Sequence, residues 1–208
     1  MYARWNLLIG DPAKIDEVTR YVEENVRPEL EAQPGCRGMA LLTDRDQGQA
    51  VIASYWDSAE ALTTSEHAVQ TSRKEAAELA RGAITVEKYE VPIFVRTSRP
   101  ERGAGVRITT LHIEPGELDS ALRAFQDTAV PAMRNMSGMC SAQTLVNRDT
   151  GQYMVVAAFE SQEALVASRA EVARVRAETL GKTHAKVIAA QEFTLQFTSV
   201  REDESATR

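Results

Sequence analysis

The chain has 208 residues, 43 % of them hydrophobic, with 24 Lys and Arg against 30 Asp and Glu, a net charge of −6. That length and apolar share suffice for one shared core or two small ones, and an acidic balance with no basic run longer than a pair argues against nucleic acid as a partner. No apolar stretch reaches the length of a membrane span, and Met1 leads straight into an alternating segment without a signal-type apolar run, so the expectation is a cytoplasmic protein with no membrane partner.

Tyr2 to Gly10, YARWNLLIG, alternates like a strand, with Arg4, Asn6 and Leu8 on one face and Ala3, Trp5, Leu7 and Ile9 on the other. Asp11-Pro12 supplies an N-cap and a first-turn proline for a helix to about Gln33. Pro28 is expected to end or kink that helix one turn early. After Pro34-Gly35, CRGMALLTD and AVIASYW form two strands around the turn at Asp46 to Gly48. Ser58 or Asp57 caps a second helix that runs to about Arg81 and stops at Gly82. AITVEKYEVPIFV then forms one long final strand.

The same order is written again 103 positions later. Tyr55-Trp56-Asp57-Ser58-Ala59-Glu60-Ala61-Leu62 meets Ala158-Phe159-Glu160-Ser161-Gln162-Glu163-Ala164-Leu165, and RDQGQ (Arg45 to Gln49) meets RDTGQ (Arg148 to Gln152). Between Arg4 and Glu75 twenty residues are identical at this offset, against about four by chance, so the chain is a tandem duplication. Each copy reads β-α-β-β-α-β, the split βαβ order of an α+β, ferredoxin-like unit. AVIASYW and YMVVAAF are apolar at both parities, as strands covered on both faces are. The expected fold is therefore two ferredoxin-like βαββαβ repeats packing sheet to sheet as an intramolecular dimeric α/β barrel. The repeats are read at 1–96 and 106–200, with a linker at 97–105 and a disordered tail at 201–208.

On a helical wheel Ala61, Leu62, Ser65, Val69, Ser72, Ala76 and Leu79 share one stripe, whereas His67 lies almost opposite it and is expected to face solvent. His112 and His184 have no second ligand at a metal-binding spacing, so no metal site is expected. Cys36 and Cys140 are one position out of register and read as reduced structural thiols. Asn6, disfavoured within a strand, either points into a wet pocket or bonds locally. Trp56 either lines a pocket or, like Phe159 in the second copy, packs a core. Arg4 and Arg107 occupy one position in the two copies, either as oxyanion stabilisers or in an ion pair.

The βαββαβ order, the Pro-Gly before strand two, the aromatic closing strand three and the Trp56-Asp57-Ser58-Ala59-Glu60-Ala61-Leu62 handover resemble the antibiotic biosynthesis monooxygenase family of the dimeric α/β barrel superfamily, over both copies. The resemblance implies oxygenation of a small aromatic or quinol-like compound without metal, flavin or other cofactor, the substrate anion itself reacting with dioxygen. The alternative is a non-catalytic or stress-response barrel that holds a small hydrophobic molecule. On the enzymatic reading Asn6 and Arg4 take catalytic roles, while Trp56, Ser65, Leu8 and Val69 line the substrate pocket of the first copy. The haem-degrading branch carries an Asn on strand one and a Trp and a His on the second helix. Asn6 fits, but Ser65 and Glu75 stand in the other places. Association of two chains into a further homodimer is left open.

Overall fold

The computed structural model describes residues 1–201, so the expected disordered tail lies, Arg201 apart, outside the described residues. No helix among them is long and apolar enough to cross a membrane. The described residues divide into two compact units, Met1–Tyr89 together with those from Leu195 to Arg201, and Glu90–Thr194.

The first unit opens with β1 (Tyr2–Ile9), whose alternation sends Arg4, Asn6 and Leu8 toward the helices. Asp11 caps the next turn, its side chain accepting from the Ala13 amide at 3.0 Å. Helix α1 (Ile15–Tyr21) follows, then a π-helical turn over Val22–Val26, then α2 (Arg27–Glu31). The π turn explains why Pro28 does not stop the helix. The Arg27 amide bonds back to the Val22 carbonyl, the wider i→i+5 spacing, just before the residue that has no amide hydrogen to give. The second unit repeats this device with α5 (Leu118–Ala124), a π turn over Phe125–Ala129, and α6 (Val130–Arg134), which carries Pro131.

Strands β2 (Cys36–Asp44) and β3 (Gln49–Trp56) form the expected hairpin. Its turn needs Gly48, at φ +63°, because a Cβ there would run into the Gly10 carbonyl oxygen. The second helix, read as one piece, is two: α3 (Ala59–Thr64), capped by Ser58, and α4 (Gln70–Leu79). The Ser65 hydroxyl turns back to the Leu62 carbonyl at 2.8 Å and competes with the helical ladder where the helix breaks. Burial nevertheless keeps the predicted stripe, with Leu62, Ser65, Val69, Ser72 and Ala76 inside and His67 exposed. The second unit breaks at Ser168 between α7 (Gln162–Ala167) and α8 (Arg169–Leu180).

The long final strand of the first copy is also divided, into β4 (Ala83–Glu90) and β5 (Phe94–Arg96), with Pro92, which cannot donate to a ladder, in the gap. In the first unit the strand order is β4-β1-β3-β2. In the second, β6 (Gly105–His112), β7 (Met139–Asn147), β8 (Gln152–Phe159) and β9 (Lys186–Thr198) form β9-β6-β8-β7, with β5 added beside β7. Both are ferredoxin-like orders, so the α+β expectation of two ferredoxin-like repeats holds.

The unit boundaries differ from those read off the repeat. Val95 sits in the core of the second unit with Phe125, Met133 and Phe159, and the Thr97 amide bonds the Cys140 carbonyl, so 90–97 belongs there. At the other end, Phe197 packs with Leu8, Ile15 and Trp56 of the first unit, Gln196 bonds Thr43, and Ser199 bonds the Met39 carbonyl. Repeat similarity records ancestry, while packing decides which core a strand end joins. Cys36 and Cys140 are both free thiols, half-buried and buried respectively.

Candidate functional site

In each unit a cavity lies between the sheet and the helices, and its walls are built from matching positions. In the first it is lined by Arg4, Asn6, Val26, Ile52, Val69 and Arg73, among others, and measures about 20 Å³. In the second, Thr109, Ala129, Val155, Val172 and Arg176 occupy five of those positions 103 residues on, and the cavity measures about 60 Å³. Of the residues expected at the site, Arg4, Asn6 and Val69 share the first cavity, whereas Trp56, Leu8 and Ser65 are not on its wall. Trp56 and Leu8 are fully buried in the core, Trp56 giving its Nε1 hydrogen to Ser54 at 3.0 Å.

Arg4 is 1 % exposed. Its Nη2 donates to the Leu62 carbonyl and to Ser65 Oγ (3.0 Å) and lies 3.1 Å from Glu66, while the guanidinium stands 5.6 Å from the centre of the Trp56 ring. Arg107 repeats the arrangement, with Nη2 to the Leu165 carbonyl (3.0 Å), Nη1 to Ser168 Oγ (3.3 Å) and Phe159 at 5.8 Å. The chemistry of both is the closing of a helix end, where carbonyls lack amide partners. Asn6 donates to the Ile52 carbonyl at 2.8 Å and accepts from Arg73 Nε at 3.1 Å, so its local bonding and its place on a cavity wall are both realised.

Arg73 and Glu66 are the residues that sequence reading passed over. Arg73 Nη1 donates to Glu66 at 2.7 Å and completes a chain Arg4–Glu66–Arg73–Asn6. Arg73 was findable, because Arg176 stands at the same place in the second copy. Glu66 was not, because its counterpart is Arg169. Burial pushes the Glu66 carboxyl up, but the hydrogen bond from Arg73 and the charges of Arg4 and Arg73 outweigh it and hold the group below the ordinary range. Burial pulls the Arg4 guanidinium below its usual value; Glu66 opposes the shift and Arg73 adds to it.

The second cavity has a different character. Its walls are mainly Leu111, Phe125, Met133, Tyr153, Val155 and Val175, with Phe125 and Tyr153 edge to face at 6.4 Å. The Tyr153 hydroxyl is buried and has no hydrogen-bond partner among the described residues. Burial raises its pKa far above the ordinary tyrosine value, so it remains a neutral donor. Arg176, half-exposed on the same wall, forms no ion pair or hydrogen bond among the described residues. Tyr153 escapes notice in the sequence because it opens the apolar run YMVVAAF, and only the folded chain reveals that no hydrogen-bond partner among the described residues meets its oxygen.

No histidine or carboxylate lines this cavity; His184, bound to Glu117 at 2.7 Å, is 85 % exposed. No three His, Cys, Asp or Glu side chains among the described residues stand together as a metal-binding group.

A sequence profile described as antibiotic biosynthesis monooxygenase matches residues 1–76 and again 105–180. The chain belongs to the antibiotic biosynthesis monooxygenase family. The two matched segments are the two copies of the repeat, and the family's ferredoxin-like unit is the one found in each. Two uncharacterized proteins of Mycobacterium tuberculosis, Rv2557 and Rv2558, are 29 % and 28 % identical to it, each over 97 % of this chain and over 90 % and 86 % of their own lengths. Among solved structures, an anthrone oxidase-like protein superposes with a TM-score of 0.67 at 14 % identity, over 95 % of this chain and 92 % of that one. A monooxygenase-like protein of Listeria innocua gives 0.52 at 14 % identity, over 95 % of both chains. A heme-degrading enzyme of Listeria monocytogenes gives 0.51 at 10 % identity, over 92 % of this chain and 98 % of that one. At such identities the likeness is one of fold.

Proposed function

We propose that the protein is a cofactor-independent monooxygenase-type protein whose working cavity is that of the second repeat, and that it takes a small aromatic molecule with an acidic phenolic or enolic oxygen. The observation that carries this reading is Tyr153, a residue of the mainly apolar cavity wall whose hydroxyl is buried without a partner among the described residues. Leaving a buried donor unpaired costs about 1–3 kcal/mol, and a ligand oxygen placed against it would remove that cost. The apolar walls favour the ring, the hydroxyl donates to its oxygen, and Arg176 balances negative charge at the same wall. Asn6, Arg4 and Val69 belong on this reading to the tighter cavity of the first copy, and Trp56, Ser65 and Leu8 to packing.

The chemistry follows from anion stabilisation. An anthrone-like substrate loses a ring CH proton, its carbanion passes one electron to dioxygen, and the radical pair joins as a hydroperoxide. Loss of water then leaves a carbonyl, so that R₂CH₂ + O₂ gives R₂CO + H₂O. The bound anion is the reductant and dioxygen the oxidant. The cavity wall offers no carboxylate or histidine to take the proton; on this reading Tyr153 and Arg176 lower the acidity barrier of the substrate, and hydroxide or water removes the proton. That same feature favours the second reading, a binding protein without turnover.

Oxygen-electrode traces with anthrone and the purified protein separate the two. Oxygen uptake that exceeds the buffer rate and falls at least about tenfold in Tyr153→Phe supports catalysis. Saturable binding without uptake above buffer would leave the binding reading alone.

A further inference from the structure

In the first repeat the turn between α4 and β4 is stitched to the end of β1. The Asp11 amide donates to the Ala80 carbonyl at 2.8 Å, and Gly10 and Gly82 let the two stretches touch, since a Cβ at either would run into the carbonyl oxygen of Ala80 or of Ile9. Arg81 adds an ion pair with Asp11 at 3.6 Å, and Ala80 is fully buried in the first unit's core. Ile113 and Ala185 stand at the two glycine positions 103 residues on, and Glu114 and Thr183 at those of Asp11 and Ala80. With side chains at both former glycines the close approach is not repeated, and among the described residues no hydrogen bond joins Glu114 to Thr183.

The second turn, Lys182 to Ala185, is held by a pair of side-chain ties instead. Lys182 Nζ donates to Thr128 Oγ1 at 2.8 Å, and His184 Nδ1 lies 2.7 Å from Glu117 Oε1. Glu117 directly precedes α5, and Thr128 lies in the π turn that continues it. The ties thus fall at the two ends of the helical stretch whose Ala121, Phe125 and Ala129 line the second cavity, and Thr183 and Ala185 line that cavity from the turn's side. The first repeat has Leu79 and Asn25 in place of Lys182 and Thr128, and two cations, Arg81 and Lys14, in place of His184 and Glu117. An internal control built from the same ancestral unit therefore exchanges a backbone stitch for side-chain fastenings where the cavity is larger.

We propose that Lys182 to Ala185 form a strap that swings off the second cavity to admit its ligand, hinged at the end of α8 and the start of β9 and fastened by the Lys182 and His184 ties. The proposal rests on the reading of that cavity as the working one. Closed, the cavity of about 60 Å³ has room for a few water molecules, so a ring enters only as a wall yields. The strap is suited to yield, because its own backbone bonds are local, Lys182 to the Thr179 carbonyl, Thr183 to the Leu180 carbonyl and Ala185 to Thr183 Oγ1, and the ladder with β6 begins only at Lys186. Lys182 is 52 % and His184 85 % exposed, and exposed ties of this kind hold weakly, as a fastening that has to release must.

The test needs no ligand. In the full chain Val175, buried on the cavity wall, is replaced by cysteine, and its labelling by methyl methanethiosulfonate under native conditions is followed by peptide mass spectrometry, which separates it from Cys36 and Cys140. The expected result is labelling at least about threefold faster once Glu117→Ala and Thr128→Ala remove both ties, with hydrogen exchange of the β6 and β8 amides unchanged. Should Val175→Cys lose the parent's melting curve, Ala129→Cys, on the π turn, takes its place with the same expectation. An unchanged labelling rate would overturn the strap, and so would a rise matched by faster exchange throughout β6 and β8, because the cavity would then open by unfolding of the unit. Failure of the aromatic reading shows separately, as absent anthrone binding in a parent whose strap still responds to the loss of its ties.

Discussion

Arg4 and Arg107 are a pair of natural variants within one molecule. Each closes the end of a short helix, rests on an aromatic ring and takes a serine hydroxyl, yet only Arg107 has a carboxylate bonded to its Nε. The hydrogen bond from Arg169, with burial opposing it and Arg107 reinforcing it, holds the Glu192 carboxyl below its ordinary value. A depressed carboxylate contributes stability that is complete above its unfolded pKa and is lost as pH falls through its folded one. The melting temperature should therefore drop as pH is lowered below the ordinary glutamate range, and Glu192→Gln should lie lower at neutral pH and show a shallower acid limb. A parallel loss in both proteins would contradict this role for Glu192.

Within single elements, sequence punctuation placed the strands and both helical segments of each copy, the division of the first copy's final strand at Pro92 apart, because the caps at Asp11 and Ser58 and the positive φ of Gly48 act through local geometry. Ser58 and Ser161 cap their helices at 3.0 and 3.2 Å. Ser58→Ala should lower unfolding free energy by about 1 kcal/mol in a denaturant titration, and Gly48→Ala should cost more, since it meets both a positive φ and the Gly10 carbonyl. The breaks inside elements were not legible. The π turns depend on where a helix must stay against its sheet, and the break at Ser65 depends on a hydroxyl choosing the Leu62 carbonyl while Arg4 arrives from a strand 61 residues away. Asn6 was legible as an oddity in a strand. Its partner Arg73 lay outside any local pattern.

For the whole molecule the duplication was plain from an offset of 103, as in Pro28 with Pro131 or Gly48 with Gly151, but the exchange of strand ends was not. Self-similarity cannot say that Phe197 completes the core of the first copy, a choice made by packing. Ending the chain after Thr194 should consequently loosen the first unit, although the deleted residues follow the second copy. Hydrogen exchange should rise in β2 and in the core helices of residues 15–31, with the second unit's β6 and β8 little changed. Loss of protection confined to the second unit would contradict the division at Leu195.

Calorimetric titration of anthrone, under nitrogen, into the parent and into Tyr153→Phe reads whether the second repeat's cavity holds an aromatic oxygen against the Tyr153 hydroxyl. One site per chain is expected, with a loss of about 1–3 kcal/mol in the variant, a factor of roughly five to more than a hundred in affinity. Equal affinities would place the ligand elsewhere and contradict that contact.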